Sequence, residues 1–298
     1  MPITLTNDNY YSAEADKDYM SVSQFKDFAG TMGKSSCEDA ALKHINKTVE
    51  RTKTTSLLVG SYVDSYFEGS LDSFKTENPE IFKKTGDKGL KADYIQAEHL
   101  IRRIESDPLF SAYMSGQKQV IMTGSMFGTD WKIKMDSYHP DDKIVDLKIM
   151  KDMNPIWSDL TNSYLDFIRF WGYDIQGAVY QKIVEINTGK KLPFFIACAT
   201  KETPANIEII EIPQNYLDTA LKFVEDNIEH VLNVKTGVIE PIRCNCCSSC
   251  KASKVLTAPI TLDSIIPKSY SKKHTDDSDG NNGSDDNDSS TGYSLFDD

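Results

Sequence analysis

Apolar residues recur at helical spacing over 21–28, 38–47, 57–67 and 94–114, which predicts four helices in the first part of the chain. The first opens Ser21-Val22-Ser23-Gln24, a serine set ahead of a polar-apolar turn as an N-cap is. The third is apolar on most of its circumference and is expected to be buried. Residues 70–92, with Pro79, Gly86 and Gly89, read as a charged insertion, and residues 1–20, Tyr-rich and weakly periodic, as a lead-in arm. The period then drops to two. Runs 118–122 and 131–136 alternate across the Gly-rich stretch 123–128, which predicts a hairpin. Trp131, Ile133 and Met135 then face one way, and Lys132, Lys134 and Asp136 the other. After a turn at His139-Pro140-Asp141-Asp142 come a strand (143–148), a helix (172–186), two strands (192–200 and 207–212) and a long helix (214–233). This order predicts an α/β core in one domain. Beyond Pro267 the chain is mostly Ser, Asp, Asn and Gly, too polar to bury a core. The expected division is an arm (1–20), a folded domain (21–267) and a disordered acidic C-terminal tail (268–298).

Composition agrees with a soluble globular protein: 39% hydrophobic and 26% charged residues. No apolar run approaches the ~18 residues of a membrane span, and no charged region followed by an apolar one marks a secretory signal, so a cytoplasmic protein is expected. The net charge of −12 argues at first against nucleic acid. Half of it, however, lies in the last 28 residues, and acidic groups in the body can be consumed by metal ions, leaving lysines to line a groove. Four of the six cysteines (Cys244, Cys246, Cys247 and Cys250) fall within seven residues, too close for a disulfide framework and better suited to a metal. Cys198, in an apolar strand pattern, reads as a core residue.

The candidate chemistry starts at Asp146 and Lys148, two apart on a strand and therefore on one face. Asp136, ending the strand before, can join them. Carboxylates beside an ammonium suit a divalent cation and a phosphate; a solvated hairpin carrying Asp and Lys by chance is the plain alternative. Gly60, Asp64 and Glu68 share one face of the third helix. They either hold a metal or form its solvated stripe. Gln176 and Tyr180, also four apart, can contact a DNA strand or cover a half-buried face.

Taken in order, a helix Gly-x-x-x-Asp, a strand Asp, Asp-x-Lys and a helix Gln-x-x-x-Tyr resemble the PD-(D/E)xK nuclease superfamily. The likeness is to its RecB-like branch and, within that, to RecE-type (exonuclease VIII-like) phage proteins, over roughly residues 20–256. The resemblance implies a restriction-endonuclease-like core, a central mixed sheet flanked by helices. It makes Asp136 and Asp146 metal-binding carboxylates, Lys148 the catalytic lysine, and Gln176 and Tyr180 the pair that helps place the DNA strand. Asp64 stands where many members have His, which keeps Mg²⁺ or Mn²⁺ binding with Asp136 and Asp146, and Glu68 supports it. In members with an iron–sulfur cluster, one cysteine precedes the core and three follow it. Cys37, Cys244, Cys247 and Cys250 match that arrangement, with a four-iron four-sulfur cluster implied and Zn²⁺ the alternative, as a staple between the two ends of the domain. Cys246 could replace a neighbour.

The implied activity is a metal-dependent exodeoxyribonuclease that processes linear duplex ends in phage recombination, in the host cytoplasm. It would work with a single-strand annealing protein, and ring-shaped homo-oligomers occur among related exonucleases. The alternatives are a catalytically inactive DNA-binding or scaffold protein with the same fold, or a zinc-binding interaction module. The tail tip, Gly292-Tyr293-Ser294-Leu295-Phe296, looks like the end of a sliding-clamp-binding peptide, so a replication protein could dock there; a merely solvating tail is the simpler expectation.

Overall fold

Residues 2–20 hold to the body of the protein instead of leading into it. The computed structural model describes residues 2–49, 53–86 and 88–264, so the tail tip with Leu295 and Phe296 lies outside the described residues. It places a short helix α1 (Ala13–Asp18), capped by Ser12, ahead of α2 (Val22–Ala29), capped by Ser21 as expected. Between them Met20 bridges to Trp131: its N–H donates to Asp130 O at 2.8 Å, and Lys132 N–H donates to Met20 O at 2.9 Å. The side chain of Lys132 is 1% exposed, and its ammonium meets Asp16 Oδ1 at 2.8 Å. Lys47 meets the other Asp16 oxygen at 2.9 Å. Burial pushes the Asp16 carboxyl up, but hydrogen bonds and charge from Lys132 and Lys47 bring it below the ordinary value.

Asp16→Ala would leave Lys132 a buried cation without its counter-charge. The expected loss, read by urea denaturation, is about 3 kcal/mol, the low end for a severed buried pair because Asp16 keeps some solvent contact. Because the folded carboxyl is lowered, this contribution is present above the ordinary carboxylate pKa and is lost as pH falls through the folded value. An Asp16→Ala protein as stable as the wild type at pH 7 would show that the ion pair does not hold the segment.

Next come α3 (Glu38–Ile45) and α4 (Thr55–Glu68), close to their expected bounds. The charged insertion folds into α5 (Leu71–Glu77) and a 3₁₀ turn (Pro79–Ile81) whose Ile81 is fully buried. The single helix expected over 94–114 is two, α6 (Ala92–Glu105) and α7 (Pro108–Tyr113). Pro108 has no N–H to continue α6 but suits a first helical turn, and Asp107 caps the new helix by accepting from Phe110 N–H at 2.9 Å. Strands β1 (Val120–Met126) and β2 (Thr129–Met135) form a tighter hairpin than expected. Its turn is Phe127-Gly128, both at positive φ (52° and 78°), the two-residue geometry that matches strand twist, so residues 123–126 pair instead of linking.

The rest of the domain comprises β3 (Ser137–His139), β4 (Lys143–Met150), a small hairpin of β5 (Ile156–Ser158) and β6 (Ser163–Leu165), α8 (Phe167–Trp171), α9 (Tyr173–Thr188), β7 (Phe194–Thr200), β8 (Ile207–Glu211), α10 (Gln214–Lys235) and α11 (Ser248–Ala252). The central sheet runs β3-β4-β7-β8, with β4 and β7 parallel and the outer pairs antiparallel. Strand alternation divides its side chains between two cores. Ile144, Phe194, Ile196 and Cys198 pack with α2, α9, α10 and the inward Trp131, Ile133 and Met135. Val145, Leu147, Ala197 and Ala199 pack with α4, α6 and α7. The domain is thus a mixed sheet flanked by helices on both faces, and Asp146 and Lys148 fall in phase with Ile144 and Met150 on the α9 side. Residues to Ser253 make one unit; of the following unit, 254–264 are described, with a 3₁₀ turn at Leu262–Ser264. Among the described residues no helix is long and apolar enough to cross a membrane.

Candidate active site

Two charged positions interrupt the apolar face of β4, and both open on a cavity of about 570 Å³. Asp146 is 2% exposed. Its Oδ1 accepts from Gln176 Nε2 at 2.6 Å, and its Oδ2 meets the Lys148 ammonium. Asp136, directly after β2, is held from the neighbouring strand: its Oδ2 accepts from Leu147 N–H at 2.9 Å. Asp64 enters from α4, and its Oδ1 is buried without a hydrogen-bond partner among the described residues. Glu68, one turn on, lines a small adjoining space with Asp64, Asp136 and Gln119, and accepts from Ser70 Oγ at 3.2 Å. Tyr180 also borders the main cavity, but its hydroxyl is committed to Lys134 O at 3.0 Å, which anchors β2. The structure therefore brings Asp64, Asp136, Asp146, Lys148, Gln176 and Tyr180 to one cavity, with Glu68 behind Asp64 and Asp136.

The electrostatics of this group follow from crowding. Burial and then the Asp146 charge push the Asp136 carboxyl up to about 7, although Lys148 and the Leu147 N–H pull the other way. Burial, then Asp136, raises Asp64 well above the ordinary carboxylate range. Burial alone would lower Lys148, but the adjacent Asp146, together with Tyr173 and Asp136, more than reverses this, so its ammonium stays charged. Three buried carboxyls crowd a single ammonium, and two of them are held above the ordinary carboxylate range for want of a second positive charge. The donor set is all oxygen, and one buried Asp64 oxygen has no hydrogen-bond partner among the described residues; this is the donor chemistry a hard divalent cation takes.

The cavity also has lining that the motif order does not point to: Tyr10, Tyr11, Lys26 and Lys134. Lys134 was legible in part, since it shares a strand face with Asp136. The tyrosines lie in a segment without period and carried no signal beyond their number. Lys26, on α2, donates to Trp171 O at 3.0 Å; burial, then the Lys148 charge, lowers its ammonium to about 8.

A second cluster lies at the N-terminus of α3. The Sγ atoms of Cys37, Cys244, Cys247 and Cys250 all lie within 4.8 Å of one another. Cys37 and Cys250 are 3.5 Å apart, Cys37 and Cys247 3.7 Å, and Cys244 and Cys250 4.0 Å. Cys246 is exposed and outside the group. Backbone N–H groups of Cys246 and Cys247 bring the Cys244 thiol down to about 6, toward the thiolate a metal needs. Thiolates ~2.3 Å from one tetrahedral ion stand about 3.8 Å apart, so the group has the size of a single-ion site. A four-iron cluster, with its own irons and sulfides between the thiolates, would require them to spread. Glu38 steadies the surroundings by accepting from Ile242 N–H at 2.7 Å and meeting His230 Nε2 at 2.7 Å.

Comparison with known proteins agrees with this geometry. Residues 21–253 match the model of the family described as "PDDEXK-like domain of unknown function (DUF3799)". A crystal structure of a "putative exonuclease" from Eubacterium rectale is 57% identical, with a TM-score of 0.85, over 88% of this chain and 98% of that one. The structure of SSO0001 is 14% identical over 65% of this chain and 83% of its own, at a TM-score of 0.26, and carries no argument. Curated proteins give no significant match. With the mixed sheet, the helices on both faces and most of its length matched, the chain belongs to the PDDEXK-like family.

Proposed function

We propose that this protein is a divalent-metal-dependent deoxyribonuclease, an exonuclease that processes linear duplex ends for phage recombination. Family membership and the 57% identical neighbour support a nuclease. The observation that carries the reading is the convergence of Asp64, Asp136, Asp146 and Lys148, from three separate elements, on one cavity. In this reading Asp64, Asp136 and Asp146 hold Mg²⁺ or Mn²⁺, which supplies Lewis-acid stabilisation of the phosphodiester as charge builds on it. The chain's own groups do the rest. Leu147 N–H and Gln176 fix the orientation of Asp136 and Asp146 before any substrate arrives. Lys148, kept charged by Asp146, orients the attacking water and offsets negative charge on the phosphate. Tyr180 holds the strand that carries Asp136 in register.

The direct test is purified protein with end-labelled linear duplex and with closed circular DNA, with and without Mg²⁺ or Mn²⁺. Metal-dependent loss of label from the linear DNA alone is expected; binding without cleavage would favour the inactive scaffold. The same reading includes hand-over of the exposed strand to a single-strand annealing protein, which the resemblance to RecE-type proteins supports. Docking of a sliding clamp or another replication protein on Leu295 and Phe296 is supported only by that isolated apolar tip in the sequence, and unchanged pull-downs after truncation beyond Thr291 would remove it.

Asp64 offers a test that needs no substrate. Asp64→Asn removes a buried carboxyl that the fold holds well above its ordinary range, a cost relative to the unfolded chain at neutral pH, so the metal-free protein is expected to melt higher, by about 1 kcal/mol of added stability. The same change should abolish most of the rise in melting temperature that millimolar Mn²⁺ gives the wild type. A metal-induced rise as large as in the wild type would make Asp64 structural.

A further inference from the structure

The site cavity has a wall that metal binding leaves unused. Lys134 lies two residues before Asp136 on the same face of β2, and the N-terminal segment lays Tyr10 and Tyr11 beside it. Tyr10 is 6% exposed and packs under Lys132, whose ammonium is 4.8 Å from the ring centre. Tyr11 stands edge-on to Tyr10, centroids 4.9 Å apart at 84°, and is 70% exposed. The ammonium groups here differ in what they already hold. Lys132 and Lys47 share Asp16. Lys134 lies over the Tyr11 and Tyr10 rings at 5.1 and 5.7 Å and makes no salt bridge among the described residues. An exposed aromatic ring at the cavity and an ammonium without a carboxylate, two strand positions (about 6.8 Å) from Asp136, match one unit of a nucleic-acid strand. A phosphate seeks the cation, and a base of any identity stacks on the ring.

We infer that Tyr11 and Lys134 form a nucleotide subsite beside the metal site, in which Lys134 neutralises the phosphate next to the scissile one and Tyr11 stacks on a neighbouring base. This rests on the nuclease reading and adds to it how a sequence-independent strand is gripped. The subsite also gives the N-terminal segment a purpose: α1 and the Asp16–Lys132 pair hold the aromatic pair against β2.

The test measures binding, not cleavage: fluorescence anisotropy of a fluorescein-labelled single-stranded oligonucleotide with the full chain and Ca²⁺, over a series of NaCl concentrations. Tyr11→Leu is expected to weaken binding about 5- to 100-fold with no change in salt dependence, and Tyr11→Phe to bind within about twofold of the wild type. Lys134→Ala should weaken binding and flatten the plot of log K against log salt by about 0.7, the share of one phosphate. Thermal melting of each variant, with Lys134→Gln as a second replacement, separates lost contact from lost fold. Tyr11→Leu and Lys134→Ala binding as tightly as the wild type would overturn the subsite alone. So would a Phe variant as weak as the Leu variant, because the hydroxyl would then matter and the ring would not. A wild-type chain that binds neither this oligonucleotide nor a labelled linear duplex would instead remove the nuclease reading, and the subsite with it.

Discussion

Asp146→Asn and Lys148→Met are each expected to reduce cleavage of linear duplex by about 10²- to 10³-fold or more, with the fold retained. Asn keeps the shape of Asp146 and an oxygen for the Gln176 amide, but it loses the charge that draws a cation and holds Lys148. Met keeps the length of Lys148 and loses the ammonium, removing the group that meets charge on the phosphate. Losing a single preorganised donor of this kind costs about 10²–10³ in rate, and a metal ligand costs at least as much. The two variants should differ in stability without metal. Lys148→Met leaves three crowded carboxylates without their ammonium and should melt lower, whereas Asp146→Asn relieves that crowding while stripping Lys148 of its counter-charge, so its melting should change less. Time courses on end-labelled duplex with paired thermal melts measure both effects. Undiminished cleavage in either variant would refute the assignment of that residue.

The second large effect is expected at the cysteines. Cys37 and Cys250 are 213 positions apart in sequence and 3.5 Å apart in space, so a metal shared by the four thiolates ties the start of α3 to the end of the domain. Binding energy at such a site is folding energy, because the unfolded chain has no site to offer. Cys250→Ser, or metal removal by a strong chelator, is therefore expected to lower the melting temperature by about 10 °C or more, from a loss of several kcal/mol in a domain of this size. Cys246→Ser, outside the group and exposed, should leave melting within about 2 °C. Elemental analysis of protein purified without oxygen reads the identity. One zinc per chain fits the thiolate separations as they stand, and about four irons with visible absorbance would mean that the thiolates spread around a cluster. No bound metal, with unaltered melting in Cys250→Ser, would remove the staple.

The residues of the carboxylate cavity could be proposed from the sequence because they follow a local period. Asp146 and Lys148 share a face since a strand repeats every two residues, and Asp64 with Glu68, like Gln176 with Tyr180, since a helix brings positions four apart together. Apolar alternation also carried most elements of the domain, from α2 to α10, near their observed bounds. Tertiary structure decided what has no period. The N-terminal segment is held by ion pairs of Asp16, one of them to a residue 116 positions away, by Lys235 bonds to its carbonyls and by backbone bonds of Met20 to β2, none of which leaves a pattern along the chain. Pro108 divides a continuous apolar stripe into two helices, and two positive φ angles shorten the hairpin turn. The clustered cysteines did not themselves tell which thiols converge; the fold does, bringing Cys37 to Cys244, Cys247 and Cys250 and leaving Cys246 exposed. Local repeats fix which side chains share a face, whereas contacts across a hundred or more residues depend on how the elements pack, and only the packed chain places Tyr11 and Lys134 beside the carboxylates.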